Sequence, residues 1–499
     1  MSRVAVAAPS RLAADAGAEI AAAGGNAVDT ALGAVMTAMV TEPGICAPGA
    51  GGFITVGRPT GPVVVYDGYM EMPGRGPMAP RFGDGITEVT TDYGGGMTTL
   101  IGPGSIATPG AWAAMEDAWS EHGRLPWATV MSPAIRTTRE GFPLGAAAHS
   151  YLVLMHPWFA RDPAARATLE PEGTPLHVGD TVHISGLADS LQEIADQGAA
   201  ALHGGALGAR IAGDVALRGG LLRLEDLAGY RCVRREAVIS RVGEWEVASN
   251  PAPAVGGVAL MAMLRLISAV GRVEDADLVA AQRAVLEYRR DRIDTARDTA
   301  EAIAGLLAAF PDGVRRPLGS PSTVHVSAVD QDGLACAVTM SAGYGSGVVP
   351  EGTGFWMNNS LGEIELTRAG PATLTPGTRL LSNMAPTIAR RADGEVVAVG
   401  SPGADRIPTA LLITLVALLL EGRGLDAAVH RPRLHVEFTD EGPRVAHEPG
   451  VDVHDVGLPT RPFDALHMFF GGVAAAARLP DGRLEAVADP RRQGGARVG

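Results

Sequence analysis

The chain has 499 residues, with 41 arginines, no lysine and 55 acidic residues, so its formal net charge is −14. That balance, with no basic run of five or more, excludes a phosphate-backbone binder, because nucleic-acid affinity needs clustered cations. Hydrophobic residues make up 46% and charged ones 19%, enough apolar material for the core of a globular protein. Cys46, Cys232 and Cys336 are widely spaced and no C-x-x-C occurs, which argues against a disulfide framework or a zinc site.

The first residues, Met1 to Pro9, carry one cation and then enter a helical pattern, without the apolar core of a signal peptide. A cytoplasmic protein is the expectation. Residues 9–40 read as two helices split by Gly24-Gly25-Asn26, with Asn26 or Asp29 as a cap. Gly51–Gly57 and Val63–Tyr66 read as a β-hairpin with glycines at its ends. Residues 108–300 read as mainly helical, punctuated at Pro109-Gly110, Pro126 and Pro251–Pro253. Apolar residues at three- and four-residue spacing mark helices at Ala111–His122, Leu187–Gly204 and Leu278–Thr299.

The texture changes near residue 311. Residues 311–322 are rich in proline, glycine and serine and read as an exposed turn segment. Thr323–Asp330 and Ala335–Ser341 then form two β-rich runs joined across Asp332-Gly333, a hairpin pattern. A second hairpin follows, Ile388–Arg391 and Val396–Val399 joined by Asp393-Gly394, and a buried helix begins near Ile407. The apolar run Ala410–Leu420 falls well short of the roughly 18 residues needed to span a bilayer. No partner membrane is implied.

Thr323 by itself is a β-branched residue opening a strand, and residues so placed are generally structural. Its position at a loop-to-strand junction gives it a second meaning. If the chain is cut before Thr323, the hydroxyl lies beside a free α-amine. An amine titrating near pH 8 serves as the general base for a weak alcohol nucleophile.

From Thr323 to Gly333 the sequence T-V-H-V-S-A-V-D-Q-D-G resembles the T-T-H-Y-S-V-V-D-x-D-G start of the small subunit in the gamma-glutamyltransferase family. Other segments resemble that family in the same order along nearly the whole chain. They are Gly24–Asp29 with Glu42-Pro43 and Gly51–Phe53; Gly354–Asn359 (against G-x-x-x-N-N); Ser382–Thr387 (against S-S-M-S-P-T); Gly400–Ala404 (against G-S-P-G-G); and Asp489-Pro490-Arg491. The resemblance implies the four-layer αββα sandwich of the N-terminal-nucleophile hydrolases, an α+β fold. It also implies autocleavage between Ser322 and Thr323, giving a large subunit of residues 1–322 and a small one of 323–499 that stay together as a heterodimer in one intertwined domain. Thr323 is the implied nucleophile, Ser341 matches the second hydroxyl residue beside it, and the N–H groups near Gly403 and Ala404 are the implied oxyanion donors. No metal or organic cofactor is implied. The partners are a small-molecule acyl donor with water or an amine acceptor.

The substrate-reading positions depart from the family pattern. Met70 stands where the family carries an arginine that clamps the donor's α-carboxylate, which removes a bidentate, charge-assisted contact. Arg75, five residues on, is an alternative source of that charge. Ser360 and Glu363 align with the family's glutamine and aspartate for the donor amine. Ser382 keeps the first serine of S-S, while Asn383 replaces the second. The stretch between Glu363 and Ser382 is about ten residues shorter than the lid-bearing pattern. Retained nucleophile positions with altered clamp positions favour a changed acyl donor over glutathione. Two alternatives stand beside this reading. One is hydrolysis of a C–C bond to remove an oxalyl-type group in alkylproline secondary metabolism, the other an unprocessed chain that only binds.

Other signals fit less specific roles. The glycine clusters at 49–52 and 94–96 form neither G-x-G-x-x-G after a strand nor a Walker motif. No G-x-S-x-G occurs. His430, His435, His447 and His454 lack zinc-ligand spacing, and His325 reads as a packed group behind the nucleophile rather than as a base. Tyr69, Tyr344 and Trp356 fall in donor-pocket motifs and read as either core or pocket-lining residues.

Overall fold

The computed structural model describes residues 3–76, 82–91, 97–294, 296, 299–309, 323–363, 366, 370–439 and 441–499. Two antiparallel sheets stack face to face. The first runs Gly495–Val498, Val4–Ala8, Val324–Asp330, Ala335–Ser341, Gly51–Gly57, Val64–Gly68 and Val233–Glu236. The second runs Val238–Val242, Trp245–Ser249, Thr387–Arg391, Val396–Gly400, Ala474–Arg478 and Leu484–Ala488. Helices cover both outer faces, giving the expected αββα sandwich.

Strand alternation explains the stacking, since successive side chains point to opposite faces. In Val324–Asp330, Val324, Val326 and Ala328 join the core under the helices Arg11–Ala22, Ala27–Thr41, Ala111–His122 and Trp127–Glu140. Val329 instead joins Ala5, Ala335 and Ala337 from its own sheet and Ile388, Val396, Ala398 and Ala476 from the other. Polar links also cross the interface: Ser327 Oγ donates to the Ala474 carbonyl at 3.1 Å, and Thr55 Oγ1 to the Pro386 carbonyl at 2.9 Å. The second sheet packs its outer face under Val255–Ser268, Asp275–Tyr288, Thr299–Ala309 and Arg406–Leu415.

The expected helical pair is present, with Asn26 capping Ala27–Thr41 through a box in which Asp29 accepts from the Asn26 N–H at 3.0 Å. All three expected hairpins form, and the turn glycines of the last two need positive φ: +80° at Gly333 and +90° at Gly394. Three expectations for residues 108–300 need correcting. Val233–Glu236, Val238–Val242 and Trp245–Ser249 are strands. The first two are sheet edges, where solvent-facing Arg234, Glu236 and Arg241 blur the apolar pattern. The helix from Leu187 stops at Gln197, where Gly198 turns to a φ of +70°. The helix expected over Leu278–Thr299 runs Asp275–Tyr288, passes into a π-turn at Arg289–Ile293, and a new helix begins at Thr299. Residues 311–322, including Ser322, lie outside the described residues. Among the described residues, no helix is long and apolar enough to cross a membrane.

Candidate active site

Thr323 stands just before the first strand of the central hairpin and is 3% exposed. The hairpin register pairs Val324 with Met340, so Ser341, the last residue of the partner strand, comes level with Thr323. Both line a narrow crevice. Ser341 Oγ accepts the Gly343 N–H at 3.0 Å, which fixes the hydroxyl at the strand end. One layer deeper, His325 is fully enclosed. Its Nδ1 lies 2.7 Å from Thr339 Oγ1 and its Nε2 2.8 Å from Ser327 Oγ. Burial pushes its titration down to about 3, so the ring is neutral and serves as packing and hydrogen-bonding material rather than as a base. Gly400 of the second sheet faces this ring, and a β-carbon there would stand 2.2 Å from it.

The segment after Gly400 supplies another side of the crevice. Ala404 has φ +71°, in the left-handed region that costs a non-glycine residue of order 1–3 kcal/mol and clusters at functional sites. Gly403 has φ +124° and lies so near Gly471 that a β-carbon would meet its Cα at 2.7 Å. The N–H groups of Gly403 and Ala404 have no hydrogen-bond partner among the described residues, and they precede the helix Arg406–Leu415. Free N–H groups at a helix N-terminus suit a developing negative charge. Asp405 follows. Burial pushes its carboxyl up, but Arg406, His435 and Arg289 outweigh that and hold it well below the usual carboxylate range. Arg406 Nη1 lies 2.5 Å from Asp405 Oδ1 and His435 Nε2 3.2 Å from Oδ2. His435 therefore belongs to the support of this turn.

The predicted substrate-reading residues divide. Glu363, Ser382 and Asn383 line the crevice, as does Tyr69, stacked on Phe53 with ring centroids 5.5 Å apart. Ser360 is not part of the lining; its hydroxyl donates to Glu363 Oε1 at 2.9 Å and so orients that carboxylate. Met70 is fully buried in the core under the second helical layer, against Gly51, and does not line the crevice. Arg75 is held elsewhere, its Nη2 2.9 Å from Glu71 Oε2 and its N–H 2.7 Å from Asp226 Oδ1. Tyr344 and Trp356 lie in the other core.

Sequence reasoning missed Met384, Leu366 and Ile407 in the lining, and missed Arg289 behind Asn383. Nothing in Tyr288-Arg289-Arg290-Asp291-Arg292 distinguishes the buried arginine from its exposed neighbours. Among the described residues no cluster of histidine, cysteine and carboxylate side chains could hold a metal ion.

A stacked αββα sandwich in which Thr323, just before a central strand, and Ala404 line one crevice is the architecture expected of the N-terminal-nucleophile hydrolases. The gamma-glutamyltranspeptidase family model matches residues 13–283 and 279–499, and the chain belongs to that family of hydrolases and acyltransferases. It is 28% identical over 517 residues to the glutathione hydrolase proenzyme of Escherichia coli strain K12, covering 95% of this chain and 88% of that one. It is 30% identical over 516 residues to the acylase ACY 1 proenzyme of Pseudomonas sp. strain SE83, covering 97% and 91%. Its fold is similar to a cephalosporin acylase from Bacillus halodurans, with a TM-score of 0.77 at 23% identity, covering 99% of this chain and 96% of that one.

Proposed function

We propose that the chain is made as a precursor, cuts itself between Ser322 and Thr323, and acts as a heterodimer of residues 1–322 and 323–499 on an acyl donor other than glutathione. The freed α-amine of Thr323 takes the hydroxyl proton as Oγ attacks the donor carbonyl. The N–H groups of Gly403 and Ala404 hold the oxyanion, the leaving amine departs with the proton, and water or an acceptor amine releases the acyl group. The observation that carries this reading is one crevice lined by Thr323, Ser341 and Ala404, with Ala404 held at φ +71°.

Support for a changed donor comes from the clamp positions. Met70 puts a thioether in the core where the family pattern has an arginine, and Arg75 is engaged by Glu71 and Asp226. A hydrolase that binds a donor with different polar groups fits these residues better than one built around a glutathione-like head.

Denaturing electrophoresis and intact mass test the processing step. Wild type is expected as two fragments of 322 and 177 residues (499 − 322) and Thr323→Ala as one chain; a single wild-type band overturns it. Steady-state release of p-nitroaniline from γ-glutamyl-p-nitroanilide tests the donor. Turnover at rates usual for an enzyme, about 1–10³ per second, overturns the altered-donor reading.

A further inference from the structure

Among the described residues only Ala404 and Gln493 hold a positive φ without being glycine, and Ala404 is the one that lines the crevice. A backbone of this kind persists only where the surrounding contacts fix it. Close packing fixes one side of the turn: Gly471 stands directly against Gly403, and Ser401 Oγ accepts the Gly472 N–H at 3.1 Å. The other side carries Asp405.

Asp405 is the N-cap residue of the helix Arg406–Leu415, a place where an aspartate ordinarily accepts an N–H of the first turn. Its carboxylate makes no such bond. It meets Arg406 Nη1 at 2.5 Å through Oδ1 and His435 Nε2 at 3.2 Å through Oδ2, and it is buried. His435 is buried too, on the strand Leu434–Thr439, with Nδ1 3.1 Å from Thr409 Oγ1 and its ring edge-on to Phe469 at 6.2 Å between centroids. Arg406 donates from Nε to the Phe469 carbonyl at 3.0 Å and lies over the Phe469 ring at 4.6 Å. One carboxylate thus ties the turn to a strand 30 residues away and, through Arg406, to the segment Met468–Phe470. A buried ionic set adds little net stability compared with apolar packing, so the geometry it imposes is the informative part.

We infer that Asp405 and His435 are positioning residues that hold Ala404 in its left-handed conformation and so keep the N–H groups of Gly403 and Ala404 set for the oxyanion. The inference rests on the proposed function for the role of those two donors. Neither positioning residue touches the acyl donor. With the tie released, an alanine returns to negative φ, the peptide between Gly403 and Ala404 rotates, and a donor is withdrawn from the crevice. A glycine at 404 has no such drive, because it takes positive φ about as readily as negative.

The test uses p-nitrophenyl acetate, an activated ester that asks only for the nucleophile and the oxyanion donors. Asp405→Asn keeps the side-chain shape but cannot satisfy both cationic partners; His435→Phe keeps a flat ring beside Phe469 and gives up the bond to Asp405. Each is expected to lose about 10- to 100-fold in kcat with KM within about twofold of wild type, the pattern of an interaction made in the transition state. If one of the two does not fold, the other decides. Adding Ala404→Gly to either is expected to restore kcat by about tenfold, the scale of the strain removed. A role in folding alone is not repaired by deleting one methyl group. A kcat unchanged in both variants, or a loss that Ala404→Gly leaves in place, overturns the inference. Denaturant titration reads the same turn without a substrate. Ala404→Gly is expected to raise the midpoint of wild type by more than that of Asp405→Asn or His435→Phe, where the strain is already relaxed, and equal shifts in all three backgrounds overturn the inference. If wild type releases p-nitrophenol no faster than Thr323→Ala, the nucleophile reading has failed, and the denaturant midpoints alone decide on the turn.

Discussion

Gly256 and Asn383 are packed backbone to backbone: a β-carbon on Gly256 would stand 1.9 Å from the Asn383 carbonyl oxygen and 2.3 Å from its carbonyl carbon. Gly256 lies in the first turn of Val255–Ser268, whose N–H groups at Val255 and Gly256 donate to the Ser382 carbonyl at 2.8 and 3.1 Å. A helix start thus holds the segment that carries Ser382 and Asn383 against the crevice. Gly256→Ala gains about 1 kcal/mol of helix propensity, but the clash is with backbone, which cannot rotate aside, and overpacking costs about 1–3 kcal/mol. The expected outcome is a lower melting temperature and a fall of at least about tenfold in kcat/KM, the scale expected when a binding group is misplaced by an ångström or less. Full activity in Gly256→Ala would show that the 382–383 position is not critical.

Ala404 offers the opposite substitution. Its φ of +71° suits glycine, and removing the β-carbon relieves strain of order 1–3 kcal/mol while loosening the unfolded chain by about 0.4–1 kcal/mol. Ala404→Gly is therefore expected to be at least as stable as wild type in denaturant titration and to keep its turnover. Ala404→Val places a β-branched residue at positive φ, where such residues are outliers, and is expected to lose both stability and activity. Equal stability of the two variants would remove the strain argument.

His325 links the layer beneath the nucleophile to acid stability. Burial holds it near 3 in the fold, against about 6.5 for a histidine in the unfolded chain. Between these values the unfolded chain binds a proton that the native state does not, so this contribution is constant above about pH 7 and is lost as pH falls from 6.5 towards 3. One proton corresponds to up to about 1.4 kcal/mol per pH unit. Denaturant midpoints at pH 7.5 and 5 are expected to fall further in wild type than in His325→Gln, although the variant starts lower because Thr339 and Ser327 lose their partner. Parallel pH slopes would count against a neutral, buried ring.

These residues mark what was readable in the chain. The hairpin opened by Thr323 was legible because β-branched residues alternate on either side of an Asp-Gly turn. The Gly403-Ala404 turn and the Ser382-Asn383 pair were legible because each sits in a short, ordered motif. Arg289 was not, since its burial depends on a π-turn and on Asn383, 94 residues away. Met70 was legible as a departure from the family pattern, but not as a core residue, because methionine suits either place. The edge strands Val233–Glu236 and Val238–Val242 were hidden by arginine and glutamate on their solvent faces, where the partner strand rather than composition fixes the structure.

The closing Asp489-Pro490-Arg491 motif matches the family pattern, yet none of its residues lines the crevice, and its contacts assign it to stability. Arg433 Nη2 lies 2.5 Å from Asp489 Oδ2, and Arg491 bonds both Glu448, at 2.5 Å, and Asp489, at 3.1 Å. All four side chains are buried, and Asp489 also accepts the N–H groups of Val473 and Arg491 at 2.9 Å each. Burial pushes the Asp489 carboxyl up, but the two arginines and the backbone donors outweigh it and hold it below its usual range. Asp489→Ala removes one anion from a buried set of two cations and two anions and strands both N–H groups. Breaking a buried pair in this way costs about 3–5 kcal/mol. The exposed pair Arg497–Asp15, at a similar 2.7 Å, is the control, because solvent leaves such a pair worth about 0–1 kcal/mol. In denaturant titration Asp489→Ala is expected to lose several times what Asp15→Ala loses. Equal losses would place the motif's role outside folding stability and return it to the search for function.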